Sequence, residues 1–328
     1  LAAMGSPDER QIDGVGGANP LTSKVAIISS SSRDDADVDY LFLQISVDRP
    51  LVSDSQNCGN LLAGVGPYAI EAGMLESSGD VTPVRVHMVN TGGLAVVHVQ
   101  TAGGTVCYDG ESHIDGVPGT SAPVKVEFSD IAGASCGSLL PTGNSSDVID
   151  GVPVTCIDNG MPVVIMRAED LGKTGYETPD EMESDTELCR RVEIIRLQAG
   201  DLMNLGDVEQ KTVPKMTLVS APRHGGAINT RTFIPHRVHD AIGVLGAVSV
   251  ATACALPGSI AESVVGASSI DSAAGIDVEH PTGLFTVEVD LTRDGNRVDV
   301  NRAVLLRTAR MLMRGDVYVP AHLWTTQA

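Results

Sequence analysis

The stretch Ser55-Gln-Asn-Cys-Gly-Asn-Leu-Leu-Ala-Gly-Val-Gly-Pro-Tyr-Ala-Ile70 places a cysteine between two asparagines, ahead of small and apolar residues. This order predicts a turn that leads into a buried helix from about Gly59 to Ala72, with the Cys58 sulfur at its amino end. The unpaired N–H groups and the dipole of such a helix favour an anion and activate a thiol. A buried structural cysteine is the alternative, but the polar Asn-Cys-Gly-Asn setting favours a reactive one.

Composition limits the classes of function. The 328 residues can bury a large core and predict roughly two domains. A formal net charge of −20 argues against nucleic acid and anionic membrane as partners, but it permits a small anionic ligand in a local cationic pocket. Six scattered cysteines without a Cys-x-x-Cys pair predict reduced thiols, no zinc site and a cytoplasmic location.

The termini and the hydropathy give two further expectations. No run of residues is long and apolar enough to cross a bilayer, and no secretory signal is recognisable at the amino end. Because the sequence opens on Leu1 without a methionine, we expect the natural chain to begin upstream.

A lysine follows the first glycine-rich loop. The loop Gly14–Pro20 leads to Thr22-Ser-Lys24, which precedes the apolar strand Val25–Ser29. This order does not fit a phosphate-binding loop, since the lysine comes last and no helix follows. Partial desolvation at the mouth of an apolar strand would let Lys24 act as a base. A solvated lysine at a strand edge is an equally good interpretation.

The order of predicted elements indicates an α+β fold. Short strands surround one buried helix in each half, and the Gly/Ser/Pro-rich segment 133–151 separates the halves. The second helix begins near Gly243 and stops at Pro257-Gly258. If the amino ends of both helices face a shared cleft, the cleft suits a carboxylate-bearing substrate. Nothing in the sequence indicates a nicotinamide, flavin or metal site.

One dense cationic stretch interrupts this acidic chain. It contains Arg223, His224, Arg231, His236, Arg237 and His239. It either faces an anionic ligand or balances the acidic helix that precedes it, and the sequence favours neither interpretation.

A set of short motifs, in order along nearly the whole chain, resembles the 2-methylaconitate cis-trans isomerase family. The motifs are Gln11-Ile-Asp-Gly-Val-Gly-Gly-Ala18, Thr22-Ser-Lys24, Asn57-Cys-Gly-Asn60, Pro141-Thr-Gly-Asn144, Asn159-Gly-x-Pro162, His280-Pro-x-Gly283 and Arg307-x-Ala-Arg310. The resemblance implies the diaminopimelate-epimerase-like fold, with two pseudo-symmetric domains that are each a rolled β-sheet around a central helix. We expect the domains at 1–140 and 141–302, with a strand in 303–328 that returns to the first.

The resemblance also implies a function. It predicts a cofactor-independent isomerase that moves a proton on an unsaturated tricarboxylate, and stretches such as Phe233-Ile-Pro-His-Arg237 point to members acting on 4-oxalomesaconate in gallate-type ring degradation. A methylaconitate or aconitate-type isomerase is the nearest alternative, and a non-catalytic accessory of an aconitase-like enzyme is another. The family begins with a segment containing Arg-Gly-Gly-Thr-Ser-Lys-Gly, which this chain lacks.

The resemblance implies roles for particular residues. Lys24 and Cys58 match the family's catalytic pair, with Lys24 as the main acid or base and Cys58 opposing it. The epimerases' second cysteine falls near Gly243–Gly246 here, so a two-cysteine mechanism is not expected. The residues expected to bind substrate are Ser23, Asn57, Gly59, Asn60, Asn159, Gly246 and His280. No cofactor or metal is expected, and a homo-oligomer is left open.

Overall fold

The strands of the first half surround two short helices. The computed structural model describes residues 1–55, 57–129, 131–265, 275–294 and 297–323. The elements of the first half are β1 (Lys24–Ser30), β2 (Val38–Ile45), β3 (Val52–Ser53), α1 (Gly59–Leu62), α2 (Val65–Glu71), β4 (Val81–Met88), β5 (Gly93–Gln100) and β6 (Pro123–Ser129).

The second half has its own strands and a longer central helix. Its elements are β7 (Asp147–Ile149), β8 (Val152–Asp158), β9 (Pro162–Arg167), α3 (Pro179–Ser184), α4 (Thr186–Leu202), β10 (Lys215–Ser220), β11 (Ile228–Phe233), α5 (Val244–Cys254), β12 (Ile276–His280), β13 (Gly283–Asp294) and β14 (Arg297–Thr308). The α+β class predicted from the order of elements is confirmed.

All of these strands belong to one curled sheet. Its order is β1-β2-β4-β5-β6-β14-β13-β12-β11-β10-β9-β8-β7, and β3 adds to β2. Strand β14 joins the two halves, because Leu305 pairs with Val287 on β13 and with Val126 on β6. The expected domain boundaries at 140/141 and 302/303 stay predictions.

The two halves repeat one pattern of pairing. In the first half β1 pairs antiparallel with β2, β2 pairs parallel with β4, and β4 and β5 continue antiparallel to β6. In the second half β10, β11, β12, β13 and β14 repeat these directions in the same order. Helices α1 and α2 lie in the chain between β2 and β4, and α5 lies between β11 and β12. The predicted pseudo-symmetry is therefore confirmed.

Apolar side chains on the concave face of the sheet bury these central helices. Helix α5 is buried along its whole length, so its residues are small or apolar on every side. Helix α4 lies on the other face of the second half, where Leu188, Val192 and Ile195 enter a separate apolar cluster. Within the described ranges, no helix is long and apolar enough to span a bilayer.

The helix predicted from Gly59 to Ala72 is interrupted. It divides into α1 and α2 at Ala63-Gly64. Pro67 has no N–H to donate to the carbonyl of Ala63, so the intrahelical ladder cannot continue through this position. It resumes with the Tyr68 N–H, which donates to the Gly64 carbonyl at 3.0 Å. Because α1 is a single turn, the dipole argument for an anion site at Cys58 loses its basis.

Candidate active site

A cavity of about 850 Å³ lies where the amino ends of α1 and α5 meet. The two helices approach closely because residue 59 is glycine. A Cβ on Gly59 would lie only 2.4 Å from Cγ1 of Val244, the first residue of α5. Both halves of the molecule therefore contribute to one cleft, as expected from the sequence.

Most of the predicted site residues line this cavity. They are Lys24, Asn57, Cys58, Gly59, Asn60 and Gly246. Lys24 is the first residue of β1, where it pairs with Gln44 of β2. The structure thus brings together residues that are far apart in the sequence. Cys58 lies 34 positions after Lys24, and Gly246 lies 222 positions after it.

The backbone of Cys58 is fixed by a buried tyrosine. Cys58 is the N-cap of α1 in an extended conformation. Its carbonyl oxygen accepts hydrogen bonds from the Tyr40 hydroxyl at 3.1 Å and from the Leu62 N–H at 3.1 Å. Burial raises the pKa of Tyr40, so its hydroxyl keeps the proton that it donates. The thiol is half-buried at the cavity wall.

Asn57 presents a carbonyl oxygen that needs a partner. Its side chain is 4% exposed, and Nδ2 donates to Thr91 Oγ1 at 2.6 Å. Oδ1 is buried and has no hydrogen-bond partner among the described residues. A buried acceptor without a donor is costly, so a ligand hydroxyl or a protonated carboxyl would be favoured beside Asn57.

Three predicted binding residues do not line the cavity. Ser23 is buried, and its hydroxyl donates to Gln11 Oε1 at 2.7 Å, which holds the loop that precedes Lys24. Asn159 holds the β8–β9 turn to α5 through Ser249 and Thr252, at 3.1 and 2.8 Å. His280 is the last residue of β12 and is not among the residues that line the cavity. Their predicted contacts with substrate stay predictions.

Sequence reasoning missed Lys215, the first residue of β10. Its side chain lines the cavity and is 8% exposed, and its Nζ donates to the Thr212 carbonyl at 2.6 Å. Burial, and after it the positive charges of Lys24 and Arg196, lower the pKa of Lys215 to about 7. Lys215 therefore gains or loses its charge near neutral pH. The local sequence Val-Pro-Lys-Met gives no signal of this.

His239 supplies a neutral donor to the same wall. It lines the cavity, and burial lowers its pKa to about 4, with Lys24 and Lys215 adding to the effect. The ring is therefore uncharged at neutral pH. Since Nδ1 accepts the Ala241 N–H at 2.9 Å, the ring proton belongs on Nε2.

The amino end of α5 leaves backbone donors available. The N-cap is Gly243, which has no side chain to accept from the first turn. The N–H groups of Val244, Leu245 and Gly246 precede the first intrahelical bond, which the Ala247 N–H makes to the Gly243 carbonyl at 2.8 Å. These three residues line the cavity. An eleven-residue helix also adds a positive partial charge at this end.

The cationic stretch divides between two places. His236, Arg237 and His239 line the cavity, and Arg237 also makes a 2.8 Å salt bridge to Glu183. Arg223 and Arg231 do not line the cavity and instead lie over the ring of Tyr176. Within the part of the chain that the structure describes, no group of three or more His, Cys, Asp or Glu residues could hold a metal ion.

The arrangement suits acid–base chemistry on an anion. Lys24, Lys215 and the Cys58 thiol lie on the cavity wall, and backbone N–H groups and a neutral histidine add donors. Among the described residues, neither lysine makes a salt bridge with a carboxylate. These two lysines, which have no carboxylate partner among the described residues, are therefore available to a ligand with several carboxylates.

Comparison with known proteins agrees with this geometry. The chain is 59% identical over 324 residues to the 4-oxalomesaconate tautomerase of Pseudomonas putida. The matched region covers 99% of the chain and 88% of that protein. It is 58% identical over 319 residues to the (4E)-oxalomesaconate Delta-isomerase of Novosphingobium sp., covering 97% of the chain and 88% of that protein.

A solved structure has the same fold. The crystal structure of a methylitaconate-delta-isomerase superposes with a TM-score of 0.82 at 34% sequence identity, covering all of this chain and 89% of the other. The predicted diaminopimelate-epimerase-like fold and the resemblance to isomerases are thereby confirmed. The model of the PrpF protein family matches residues 1–320. The chain is an isomerase that belongs to the PrpF protein family.

Proposed function

We propose that this isomerase moves a proton on 4-oxalomesaconate, interconverting its keto and enol tautomers by acid–base catalysis. The identities of 59% and 58% to relatives named for this substrate support the choice. The observation that carries the proposal is the meeting of Lys24 and Cys58 in one cavity with the open amino end of α5.

The proposed reaction moves a proton from one atom of the substrate to another, with no net gain or loss of protons. Lys24 accepts a proton from the carbon next to the electron-withdrawing carbonyl. The electron pair of that C–H bond delocalises into a dienolate. Cys58, as the thiol, then protonates the dienolate at a different atom. Solvent exchange returns each group to its starting state. A general acid or base of this kind contributes about 10²- to 10⁴-fold to the rate.

The charge that develops on the dienolate needs donors that are already in place. The N–H groups at the amino end of α5 and the Nε2–H of His239 can act as these donors, because neither requires a rearrangement of charge in the protein. Loss of one such donor typically lowers kcat by about 10²- to 10³-fold. Protonated Lys215 would hold a carboxylate of the substrate from the opposite half.

A second candidate substrate has a specific observation in its favour. The structural neighbour with a TM-score of 0.82 is a methylitaconate-delta-isomerase. The same base and acid could serve such a substrate. The accessory role would not account for the meeting of Lys24, Lys215 and Cys58 in one cavity.

Separate assays distinguish these candidates. Oxalomesaconate, methylitaconate and methylaconitate should be supplied one at a time, with turnover followed by ultraviolet absorbance and by uptake of solvent deuterium at carbon. We expect the largest kcat/KM with oxalomesaconate. Turnover of methylitaconate or methylaconitate alone would establish the second candidate instead. Absence of turnover with all three would contradict the proposal.

Two further properties are proposed on the same grounds. We propose that the enzyme works in the cytoplasm, in keeping with six free thiols. We propose that its only required partner in catalysis is the small anionic tricarboxylate, whether the chain acts alone or as a homo-oligomer.

A further inference from the structure

Arg307 is a buried cation on the concave face of the second half. On β14 the alternating residues Ala303, Leu305 and Arg307 all point away from solvent. Arg307 is only 7% exposed, and its guanidinium carbon lies 3.6 Å from the centroid of the Phe285 ring. It does not line the large cavity.

The charge of Arg307 is not compensated within the described residues. Its Nε and Nη2 atoms are buried and have no hydrogen-bond partner there. Burial lowers the pKa of Arg307 to about 10, so the side chain is still protonated at neutral pH. A cation–π contact with Phe285 offsets only part of the free energy lost when a charge leaves water. The two donors therefore lack an acceptor among the described residues, and the oxygens of a carboxylate or similar oxyanion would supply both acceptor and opposite charge.

A histidine lies close enough to interact electrostatically with Arg307. His280, at the end of β12, is 7% exposed. Burial lowers its pKa, and the charge of Arg307 contributes to the effect. Nδ1 of His280 accepts the Thr282 N–H at 3.3 Å, so the proton of the neutral ring belongs on Nε2. A hydrogen bond to the Leu284 backbone opposes this lowering of the pKa, so an anion beside the guanidinium would share the His280 ring proton with that backbone group.

The carboxylate that interacts with His280 is already engaged. Oδ2 of Asp115 accepts the Leu284 N–H at 2.9 Å, and Oδ1 lies 3.4 Å from Nε2 of the exposed His113. Asp115 raises the pKa of His280 but does not form a salt bridge with Arg307 among the described residues. Among the described residues, Arg307 therefore has no carboxylate partner.

We propose that Arg307 and His280 form a binding site for a carboxylate or a similar oxyanion. Nothing in this proposal depends on which unsaturated acid the enzyme isomerises. The site also lies near the large cavity, since the cavity residue His239 is close enough to His280 to interact with it electrostatically. The anion is therefore either a carboxylate of the substrate or a separate oxyanion.

Binding measurements with non-reacting anions test the site. The probes are tricarballylate, a saturated tricarboxylate, and inorganic sulfate, each compared with sodium chloride at the same ionic strength. The variants are Arg307→Met and His280→Gln. Arg302→Met is the matched control, since Arg302 lies on the same strand but its side chain is 52% exposed.

We expect Arg307→Met to melt no lower than the wild type in the absence of anions, because it removes a buried unpaired charge. We expect it to bind at least one probe at least 10-fold more weakly, with a smaller loss in His280→Gln and none in Arg302→Met. Wild-type affinity for both probes in Arg307→Met overturns the proposal. If Arg307→Met does not fold, unchanged affinities in His280→Gln overturn it.

The same variants identify the source of the anion. Weaker tricarballylate binding, together with a KM at least 10-fold higher at nearly constant kcat, supports a substrate carboxylate at Arg307. Weaker sulfate binding with unchanged tricarballylate affinity and KM supports a separate oxyanion.

Discussion

Lys24 and Lys215 occupy equivalent positions in the two halves of the molecule. Each is the first residue of the strand that begins its half's repeated pattern, β1 for Lys24 and β10 for Lys215. Both side chains line the cavity between the halves. Their mutual repulsion adds to burial in lowering the pKa of Lys215. The pseudo-symmetry thus sets a second lysine beside the one that the sequence motif identifies.

Replacing the proposed proton-transfer groups should remove catalysis and leave the fold intact. For Lys24→Met and for Cys58→Ser we expect kcat to fall by about 10²-fold or more, as for loss of a general acid or base. Absorbance and deuterium uptake measure the rate. Lys125→Met, at an exposed position on β6, is the control and should keep wild-type turnover. Normal kcat in both site variants would contradict the assignment, and would agree with an accessory role.

The pH dependence should report the charge of Lys215. With a pKa of about 7 in the free enzyme, Lys215 loses its charge as the pH rises through 7. If the charged form binds a substrate carboxylate, kcat/KM should fall above pH 7 by up to about 10-fold per unit. Lys215→Arg should keep its charge and abolish this limb, whereas Lys215→Met should lower kcat/KM at every pH. An unchanged alkaline limb in Lys215→Arg would assign the titration to another group.

Much of the site could be predicted from the sequence because several of its residues belong to short contiguous motifs. Thr22-Ser-Lys24 and Asn57-Cys-Gly-Asn60 are contiguous motifs, and the turn at Asn159-Gly160 follows from the need for a positive φ, which is 82° at Gly160. The break between α1 and α2 could also have been predicted, since Pro67 lies within the expected helix.

The remaining features depend on contacts between distant residues. Lys215 titrates near neutrality only because β10 buries it in the cavity wall beside Lys24, and the sequence Val-Pro-Lys-Met shows neither its burial nor this neighbour. The unpaired state of Arg307 likewise follows from the pairing of β14 with β6 and β13. Burial and the absence of a partner among the described residues are properties of the assembled sheet.

The empty N-cap of α5 should matter for substrate binding. Gly243 has φ −67° and ψ 140°, which any residue can adopt, and a Cβ there would meet no atom within 4 Å. In Gly243→Asp the carboxylate should accept from the first-turn N–H groups and repel an anionic substrate. We expect KM to rise at least 10-fold with no loss of thermal stability. Gly243→Ala cannot cap the helix and should change KM much less, and equal KM values in the two variants would contradict this role.

The contact between the central helices should be sensitive to one methyl group. A Cβ on Gly59 would clash with Val244 at 2.4 Å, whereas a Cβ on Gly246, two residues further along α5, would meet no atom within 4 Å. We expect Gly59→Ala to lower the free energy of unfolding by about 1–3 kcal/mol, as overpacking does. Gly246→Ala should raise it by roughly 0.5–1 kcal/mol, since alanine is the better helix former. Urea denaturation measures both values. Equal stability of the two variants would mean that α1 and α5 can separate without cost, and the cavity between them would then not be fixed by their contact.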